Sequence, residues 1–421
     1  MLLLLYNIGI ALYWCFAHVV APFYPKAKLW CIGRKGWEQR LSQATAQLKS
    51  NPVWIHCSSL GEFEQGRPII EAIKERNPQQ PIVLTFFSPS GYEIRKNNPL
   101  ADYVCYLPID TRRNAKHFVA LVKPKVAVFV KYEFWYHYLN TLKRNNIATY
   151  VVSAIFRQQQ AFFKPYGGWY RQFLGCFSHL FVQDGQSQQL LQNIGINNVT
   201  VCGDTRFDRV LAIAANASPI AEVERFCAMH TDAPMLVAGS TWPPDEDLLA
   251  QYLRSNSKLR LIVAPHEIHE SHISSIEQKM AFAGTVRYSK LHSTPNFMPT
   301  CTPRVLIVDT IGLLSAIYRY GQIAYIGGGF GAGIHNTLEA AVYGMPVVFG
   351  PNHKRFNEAL GLIAAGAAKA IANHDELHSA LDSMLNDTDL LQQSAKAAKD
   401  YVASMSGATF AIMQAIEPYL G

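Results

Sequence analysis

Two places in this 421-residue chain put chemically useful groups where an apolar strand gives way to a helix. In "WIHCSSLGEFEQGRPIIEAIK", residues 54–74, Glu62 follows a Ser-Ser-Leu-Gly turn and opens an amphipathic helix. Open α/β sheets keep their ligands at such C-terminal strand ends. The helix dipole favours an ionised carboxylate there, which suits a general base better than an acid. The same position also describes an ordinary solvated first-turn carboxylate, with Glu64 as its counterpart on that turn. On these residues alone the ordinary role is the better supported of the two.

The second place is "YIGGGFGAGIHNTLEAAVYGMPVVFGPNH", where Gly327, Gly328, Gly329, Gly331 and Gly333 put five glycines in seven positions. Backbone amides free of side chains can approach a phosphate, and Asn336 with Glu339 three residues on resembles a capping box at a helix start. No register satisfies GxGxxG, so a dinucleotide fingerprint is not supported. A tight turn with ordinary capping is the competing account, and the glycine density favours a phosphate-type ligand over it.

Other strand ends carry Pro265 and His266 in "IVAPHEIHESH", Asp309, Thr310 and Gly312 in "IVDTIGLLS", and Ser240 and Thr241 in "GSTWPPDEDLL". A lone strand-end His is usually structural and Asp-Thr is a normal cap. Only the convergence of several such loops raises them. Asp245-Glu246-Asp247 imitates an acidic metal clamp but opens a helix after two prolines, where acidic residues match the dipole. No metal is expected.

These residues need strand–helix units to hold them, and the chain supplies them. Short apolar runs alternate with helical patterns: "VWIHCSS", "PIVLTFFS", "YVCYLPI", "VAVFVKY", "ATYVVSA", "HLFVQD" and "VTVCGD", then "PMLVAGST", "LRLIVAPH", "RVLIVDT", "IAYIGGG" and "MPVVFGP". That alternation predicts parallel sheets. The length predicts two domains, with a boundary near residues 209–232. The C-terminal "GATFAIMQAIEPYLG" reads as an amphipathic helix. Net charge is +7, from 38 Lys and Arg against 31 Asp and Glu. This suits anionic company such as a membrane surface or a phosphorylated substrate, but is too mild and dispersed for nucleic acid.

"MLLLLYNIGIALYWCFAHVVAPFYP" is apolar for about 20 residues, the length that spans a bilayer. Asn7 and His18 interrupt it, no cation precedes it, and no small-residue cleavage site ends it. Lys26, Lys28, Arg34, Lys35 and Arg40 follow at once, a positive flank that keeps the downstream chain in the cytoplasm. A membrane anchor is favoured over a buried helix. The eight cysteines, at 15, 31, 57, 105, 176, 202, 227 and 301, have no CxxC pair and no metal spacing, so they read as reduced thiols.

Taken in order, "GRKGWEQR", "HCSSLGE", "SPSGYE", "YLPID", "YEFWYHYL", "VSAIFR", "GDTRFD", "GSTWPPDE", "VAPHEIHE", "VDTIGLL" and "HNTLEAAVYGMPVVFGP" resemble the 3-deoxy-D-manno-oct-2-ulosonic acid (Kdo) transferases of lipopolysaccharide synthesis, over nearly the whole chain. The resemblance implies a GT-B fold, α/β, with two Rossmann-like domains facing across a cleft. It divides the chain into a membrane anchor (1–25), an acceptor-binding domain (26–210), a linker (211–232), a CMP-Kdo-binding domain (233–405) and a C-terminal helix (406–421). The implied reaction is inverting transfer of Kdo from CMP-Kdo to a lipid A precursor of the lipid IVA type, at the cytoplasmic face of the inner membrane, with no cofactor and no metal. By the same resemblance Glu62 is the catalytic base, with Glu133 and Arg206 as further catalytic positions. Pro265, His266, Ile311, Gly312, Leu313, Asn336, Thr337, Leu338 and Glu339 contact the CMP. Arg206 stands where the family commonly has Lys, Lys131 where it has a first carboxylate, His266 where it has Arg, and Leu313 where it has Glu. The rival readings are a GT-B enzyme using a UDP-sugar, including an epimerase, and a non-catalytic membrane-tethered nucleotide-binding protein.

Overall fold

In the computed structural model, which describes residues 1–229, 233–294 and 302–420, the chain divides into two compact units. The first comprises residues 1–208 and 406–421, the second residues 209–405. Cys301 and the last three residues of the expected linker lie outside the described residues; the other seven cysteines are free thiols.

The first unit is built on Val53–Cys57 (β1), Ile82–Phe86 (β2), Tyr103–Tyr106 (β3), Val126–Val130 (β4), Ala148–Ala154 (β5), His179–Val182 (β6) and Val199–Val201 (β7). All pairings are parallel, in the order β3-β2-β1-β4-β5-β6-β7. Helices cover both faces, so β1, β2 and β4 are buried at every residue, and their sequences are continuous apolar runs rather than alternating ones. One face packs Trp54, Phe118, Phe129, Tyr138 and Leu142; the other packs Ile55, Phe63, Ile69, Ile73 and Val128.

The second unit repeats the scheme with Met235–Thr241 (β8), Arg260–Pro265 (β9), Thr285–Arg287 (β10), Val305–Ile307 (β11), Ile323–Ile326 (β12), Val347–Phe349 (β13) and Ala368–Ala370 (β14). These are parallel in the order β10-β11-β9-β8-β12-β13-β14. The expected linker is mostly helical: helices Thr205–Asn216 and Ala221–Ala228 occupy it, and Val223 and Phe226 are fully buried in the second unit.

The two chain ends both belong to the first unit. Ile412, Ile416 and Leu420 of the C-terminal segment join its core, and Asp208 caps the terminal helix by accepting from the N–H groups of Gly407 and Thr409 (2.5 and 2.6 Å). The N-terminal helix Leu2–Val20 is attached along its length. Tyr6 Oη donates to Asp110 Oδ2 (2.6 Å), and His137 Nε2 lies 2.7 Å from Asn7 Oδ1. The Tyr6 ring meets Tyr136 and Trp169, Tyr13 meets Trp30 and Phe87, and Ala17 is buried. Its other face, with Leu4, Leu12, Phe16 and Val19, is exposed, as are Phe23 and Tyr24 just beyond it.

Arg34, part of the expected basic flank, is buried instead. Its guanidinium donates to the carbonyls of Leu107, Trp30 and Phe87 (2.9, 3.1 and 2.8 Å) and lies over the rings of Trp30, Phe87 and Tyr106. Burial holds it down to about 10, so it remains a cation at neutral pH and ties helix Pro25–Gly33 to the chain leaving β2 and β3.

Candidate active site

In the first sheet β1 and β4 are neighbours whose connections leave in opposite directions, and a doubly wound sheet opens its ligand crevice at such a switch point. Ser58–Glu62 follows β1 and Lys131–Trp135 follows β4. Glu62 stands in the first turn of helix Leu60–Arg76, half-buried, and accepts a hydrogen bond from the Ser59 hydroxyl. The chain leaving β2 braces this turn: Ser88 N donates to Ser58 O (2.7 Å). Gly91 permits the approach, since a Cβ there would meet the Phe86 ring at 2.3 Å and Ser59 backbone at 3.0 Å. Glu64, expected to be solvated, bridges to Arg95 at 3.1 Å, because helix Pro89–Arg95 lies against that turn. Cys57 registers the convergence of the two carboxylates. Burial first, and then the charges of Glu62 and Glu133, push its thiol well above the ordinary value.

Glu133 ends a hydrogen-bonded chain whose direction its two ends decide. Trp54 Nε1 can only donate, and does so to Thr85 Oγ1 (2.9 Å); an ionised carboxylate can only accept. Thr85 therefore donates onward to His56 Nδ1 (2.8 Å), and His56 Nε2–H donates to Glu133 Oε2 (3.2 Å). Trp135 Nε1 donates to the same oxygen at 2.8 Å, its shorter contact, and lies 3.3 Å from His56 Nε2. Burial raises the Glu133 carboxyl, but hydrogen bonds from His56, Trp135 and Ser58 outweigh it and leave the group below its ordinary value. Glu133 is thus an ionised, rigidly held acceptor, consistent with positioning more than with proton transfer. His56, Thr85 and Trp135 had not been singled out. For His56 and Thr85 the signal was present as polar residues inside strands otherwise wholly apolar, whereas Trp135 lies in the loop between β4 and the next helix.

Lys131 adopts a left-handed backbone (φ 62°), and its N–H pairs with Val152 O (2.9 Å). A non-glycine residue there is strained, and such strain gathers at functional turns. The turn presents Tyr132 and Glu133 at the strand end. Arg206 is bound to Asp204, its Nε and Nη2 donating to Oδ2 at 3.0 and 2.8 Å. That carboxylate also accepts from Gln65 Nε2 (2.6 Å), one turn beyond Glu62 on the same helix. A cation is present beside the Glu62 helix, already partnered by an acid.

In the second unit β8 and β12 flank the switch point. Pro265 closes β9 and His266 follows, with its N–H bonded to Thr241 O at the end of β8 (3.0 Å). Its ring stacks on His335 (4.4 Å between centroids) and on Trp242 (4.9 Å), and Trp242 Nε1 donates to His335 Nε2 (3.1 Å). A nitrogen that accepts is unprotonated, so His335 is neutral with its proton on Nδ1; burial, and then His266, lower it to about 4. Ile311, Gly312 and Leu313 form an exposed turn after β11, with Gly312 at φ 94°. Asn336, Thr337, Leu338 and Glu339 follow the glycine loop directly. The structure thus gathers Pro265, His266 and Asn336–Glu339 around the His335–Trp242 stack, with Ile311–Leu313 at the end of the adjoining strand β11.

Two details differ from expectation. The helix after Asn336 is a single turn, Leu338–Ala341, capped by Thr337, so its dipole is small. Asn336 still bonds Glu339 (2.9 Å) and accepts from Leu338 N (3.1 Å). Burial raises the Glu339 carboxyl against the Asn336 amide and Arg209, which lower it. The glycines serve backbone contact. A Cβ on Gly327 would meet Ser240 O at 2.3 Å, one on Gly329 would meet Gly350 at 2.6 Å, and Gly328 and Gly331 already donate to Asp245 and Gly328 O. Asp245 and Glu246 do stand in the first turn of helix Pro243–Ser255, and both are buried there. Asp245 accepts from Tyr325, Trp242 N and Gly328 N, while Glu246 meets His272 and Thr241, which fixes the glycine loop onto β8. Among the described residues no group of three His, Cys, Asp or Glu is arranged to hold a metal ion.

Two such sheets in tandem are the GT-B architecture. The UDP-GlcNAc 2-epimerase of Neisseria meningitidis superposes with a TM-score of 0.61 at 12% identity, over 87% of this chain and 100% of that one. MurG of Acinetobacter baumannii gives 0.55 at 12%, over 87% and 99%. At that identity they speak for fold alone. The sequence model described as 3-deoxy-D-manno-octulosonic-acid transferase (Kdo transferase) matches residues 35–209. The 3-deoxy-D-manno-octulosonic acid transferase of Bordetella pertussis is 26% identical over 412 residues, 93% of this chain and 91% of that protein. That of Aquifex aeolicus is 26% identical over 341 residues, 79% and 86%. The sequence model thus covers most of the first unit, and along most of its length the chain is similar to the Kdo transferases, glycosyltransferases of lipopolysaccharide biosynthesis.

Proposed function

We propose that the protein transfers Kdo from CMP-Kdo to a lipid A precursor of the lipid IVA type, with inversion, and that Glu62 is the base. The carboxylate takes the proton of an acceptor sugar hydroxyl as its oxygen forms a bond to the anomeric carbon of Kdo. The bond from that carbon to the CMP phosphate breaks, and CMP leaves with the electron pair. Loops of the second unit around Pro265, His266, Ile311–Leu313 and Asn336–Glu339 hold the donor. Arg206 is a donor of hydrogen bonds to the charge that develops. The observation that carries the reading is Glu62 itself: half-buried at the switch point of the family-matched unit, held by Ser59, with Glu133 on the loop after the neighbouring strand β4. Purified protein incubated with CMP-Kdo and lipid IVA should yield the Kdo adduct by mass spectrometry, and CMP should inhibit where UDP does not. Inhibition by UDP alone, with no adduct, would favour a UDP-sugar enzyme of the same fold.

The proposed place of work is the cytoplasmic face of the inner membrane, with the helix Leu2–Val20 lying in the membrane surface. Its 19 residues suffice to cross a bilayer. Crossing would strip Tyr6 and Asn7 from Asp110 and His137, or carry those polar groups into hydrocarbon. A helix with one face docked and the other apolar and exposed suits the interface plane. An epitope fused before Met1 should therefore be cleaved by protease in inside-out membrane vesicles and protected in right-side-out ones. The reverse pattern would mean a spanning helix.

A further inference from the structure

The docked N-terminal helix creates a cavity of about 760 Å³ against the chain following β3. Leu3, Ile10, Ala11 and Trp14 of the helix give it an apolar wall, and Ile109, Arg112 and Arg113 close the other side. A second hollow of about 330 Å³ shares Leu3, Arg112 and His137 with it and runs on to Lys116 and Arg144. Four cations thus rim one groove. Arg112, Arg113 and Lys116 belong to the opening of helix Arg112–Val122, whose first turn holds no acidic residue. Cations at a helix N-terminus oppose the dipole, so this placement costs stability unless something anionic is bound.

Among the described residues none of the four forms an ion pair, and the exposed acid Glu38 faces His117 instead. Asp110, at the floor, accepts from Tyr6 and from the N–H groups of His137 and Tyr138, and burial pushes its carboxyl up to about 6. Burial and then the charge of Arg112 also hold His137 below its ordinary value.

We propose that this groove binds a phosphorylated lipid, with an acyl chain along Leu3, Ile10, Ala11 and Trp14 and a phosphate over Arg112, Arg113, Lys116 and Arg144. An apolar trough ending in unpaired cations matches an anionic amphiphile and little else. Tyr136 and His137 line its far end and stand within four residues of Glu133 on the chain leaving β4, so the occupant is the acceptor lipid rather than bulk phospholipid. This deepens the acceptor reading above and rests on it.

The test is binding without donor. Fluorescence-detected binding of lipid IVA in dodecyl maltoside micelles is compared with its phosphatase-treated form and with phosphatidylglycerol vesicles, for the wild type and for the triple variant Arg112→Gln, Arg113→Gln, Lys116→Gln. Replacement of these exposed side chains should leave the melting temperature of the lipid-free protein unchanged or slightly raised, since it removes cations that oppose the helix dipole. The Kd for lipid IVA should rise about tenfold or more, as expected for lost charge-assisted contacts to one phosphate, while binding of the dephosphorylated form stays the same. Equal binding of both lipids by both proteins overturns the proposal. So does a variant that loses phosphatidylglycerol vesicles yet keeps lipid IVA, which would make the groove a contact to the bilayer. Cation-dependent lipid IVA binding without any Kdo adduct would leave this site standing and remove the Kdo-transfer reading.

Discussion

Glu62→Gln lowers kcat by about 10²- to 10⁴-fold, the range a positioned general base contributes, while leaving the fold and the donor affinity alone. The substitution keeps the size of the side chain and an oxygen that can accept from the Ser59 hydroxyl. What it removes is the ability to hold a proton. Glu62 is half-buried and is not part of the hydrogen-bonded chain ending on Glu133, so the melting temperature should move little. The loops proposed for CMP-Kdo all lie in the second unit, so CMP binding measured by calorimetry should match the wild type. Turnover within about threefold of wild type would remove Glu62 from the mechanism. A fall in kcat matched by an equal fall in CMP affinity would make it a donor-binding group instead.

How much of this could be read in the residues depends on whether the signal is local. Parallel strands buried on both faces announce themselves as unbroken apolar runs, and "VAVFV" or "IVLTF" need no context. The two strands missed, Thr285–Arg287 and Ala368–Ala370, are the edges of the second sheet, each three residues long and partly exposed, so neither has such a run. Helix lengths after turns were less legible. Asn336 and Glu339 do pair, yet the helix ends after one turn. Asp245 and Glu246 read as dipole-matching acids because nothing near them in sequence shows that Tyr325, Gly328 and His272 will fold over them.

The ends of the chain teach the same lesson. The apolar stretch before residue 25 was plain, and Asn7 was noticed as a break in it. Only the fold supplies His137, 130 residues away, as the partner that makes Asn7 useful. The terminal helix was legible as amphipathic, but its seat on Ile69, Ile73 and Phe181 of the first unit depends on contacts more than two hundred residues apart. In the site, Glu62, Glu133 and Arg206 came from motif resemblance. The chain through Trp54, Thr85 and His56 that holds Glu133 could not, since hydrogen bonding across β1, β2 and β4 requires their register: His56 opposite Thr85 and Phe129.

That register makes Glu133→Gln the more damaging change to the fold. The carboxylate accepts from His56 and Trp135 on one oxygen, with Ser58 as a further donor, and only 13% of its side chain is exposed. A carboxamide offers one acceptor and brings an NH₂ into a site built of donors, so a buried N–H is left facing another. The expected cost is about 1–3 kcal/mol near neutral pH, read by denaturant unfolding. The pH dependence carries the sign. The wild-type carboxyl sits below its ordinary value in the folded state, so its contribution is complete above the unfolded carboxylate range and disappears as pH falls through the folded value. Wild type and variant should therefore converge in stability in the acid range, with the variant's acid limb the flatter. The loop Lys131–Trp135, already strained at Lys131, loses its tether to β1, and kcat/KM should fall by about 10- to 100-fold through misplacement alone. Thr85→Val interrupts the same chain two bonds away and touches no carboxylate. It should reproduce part of the stability loss while leaving the acid limb as steep as in the wild type. If the Glu133→Gln and wild-type curves run parallel down to pH 3, the carboxylate is not the ionised end of this chain, and the direction assigned to its hydrogen bonds is wrong.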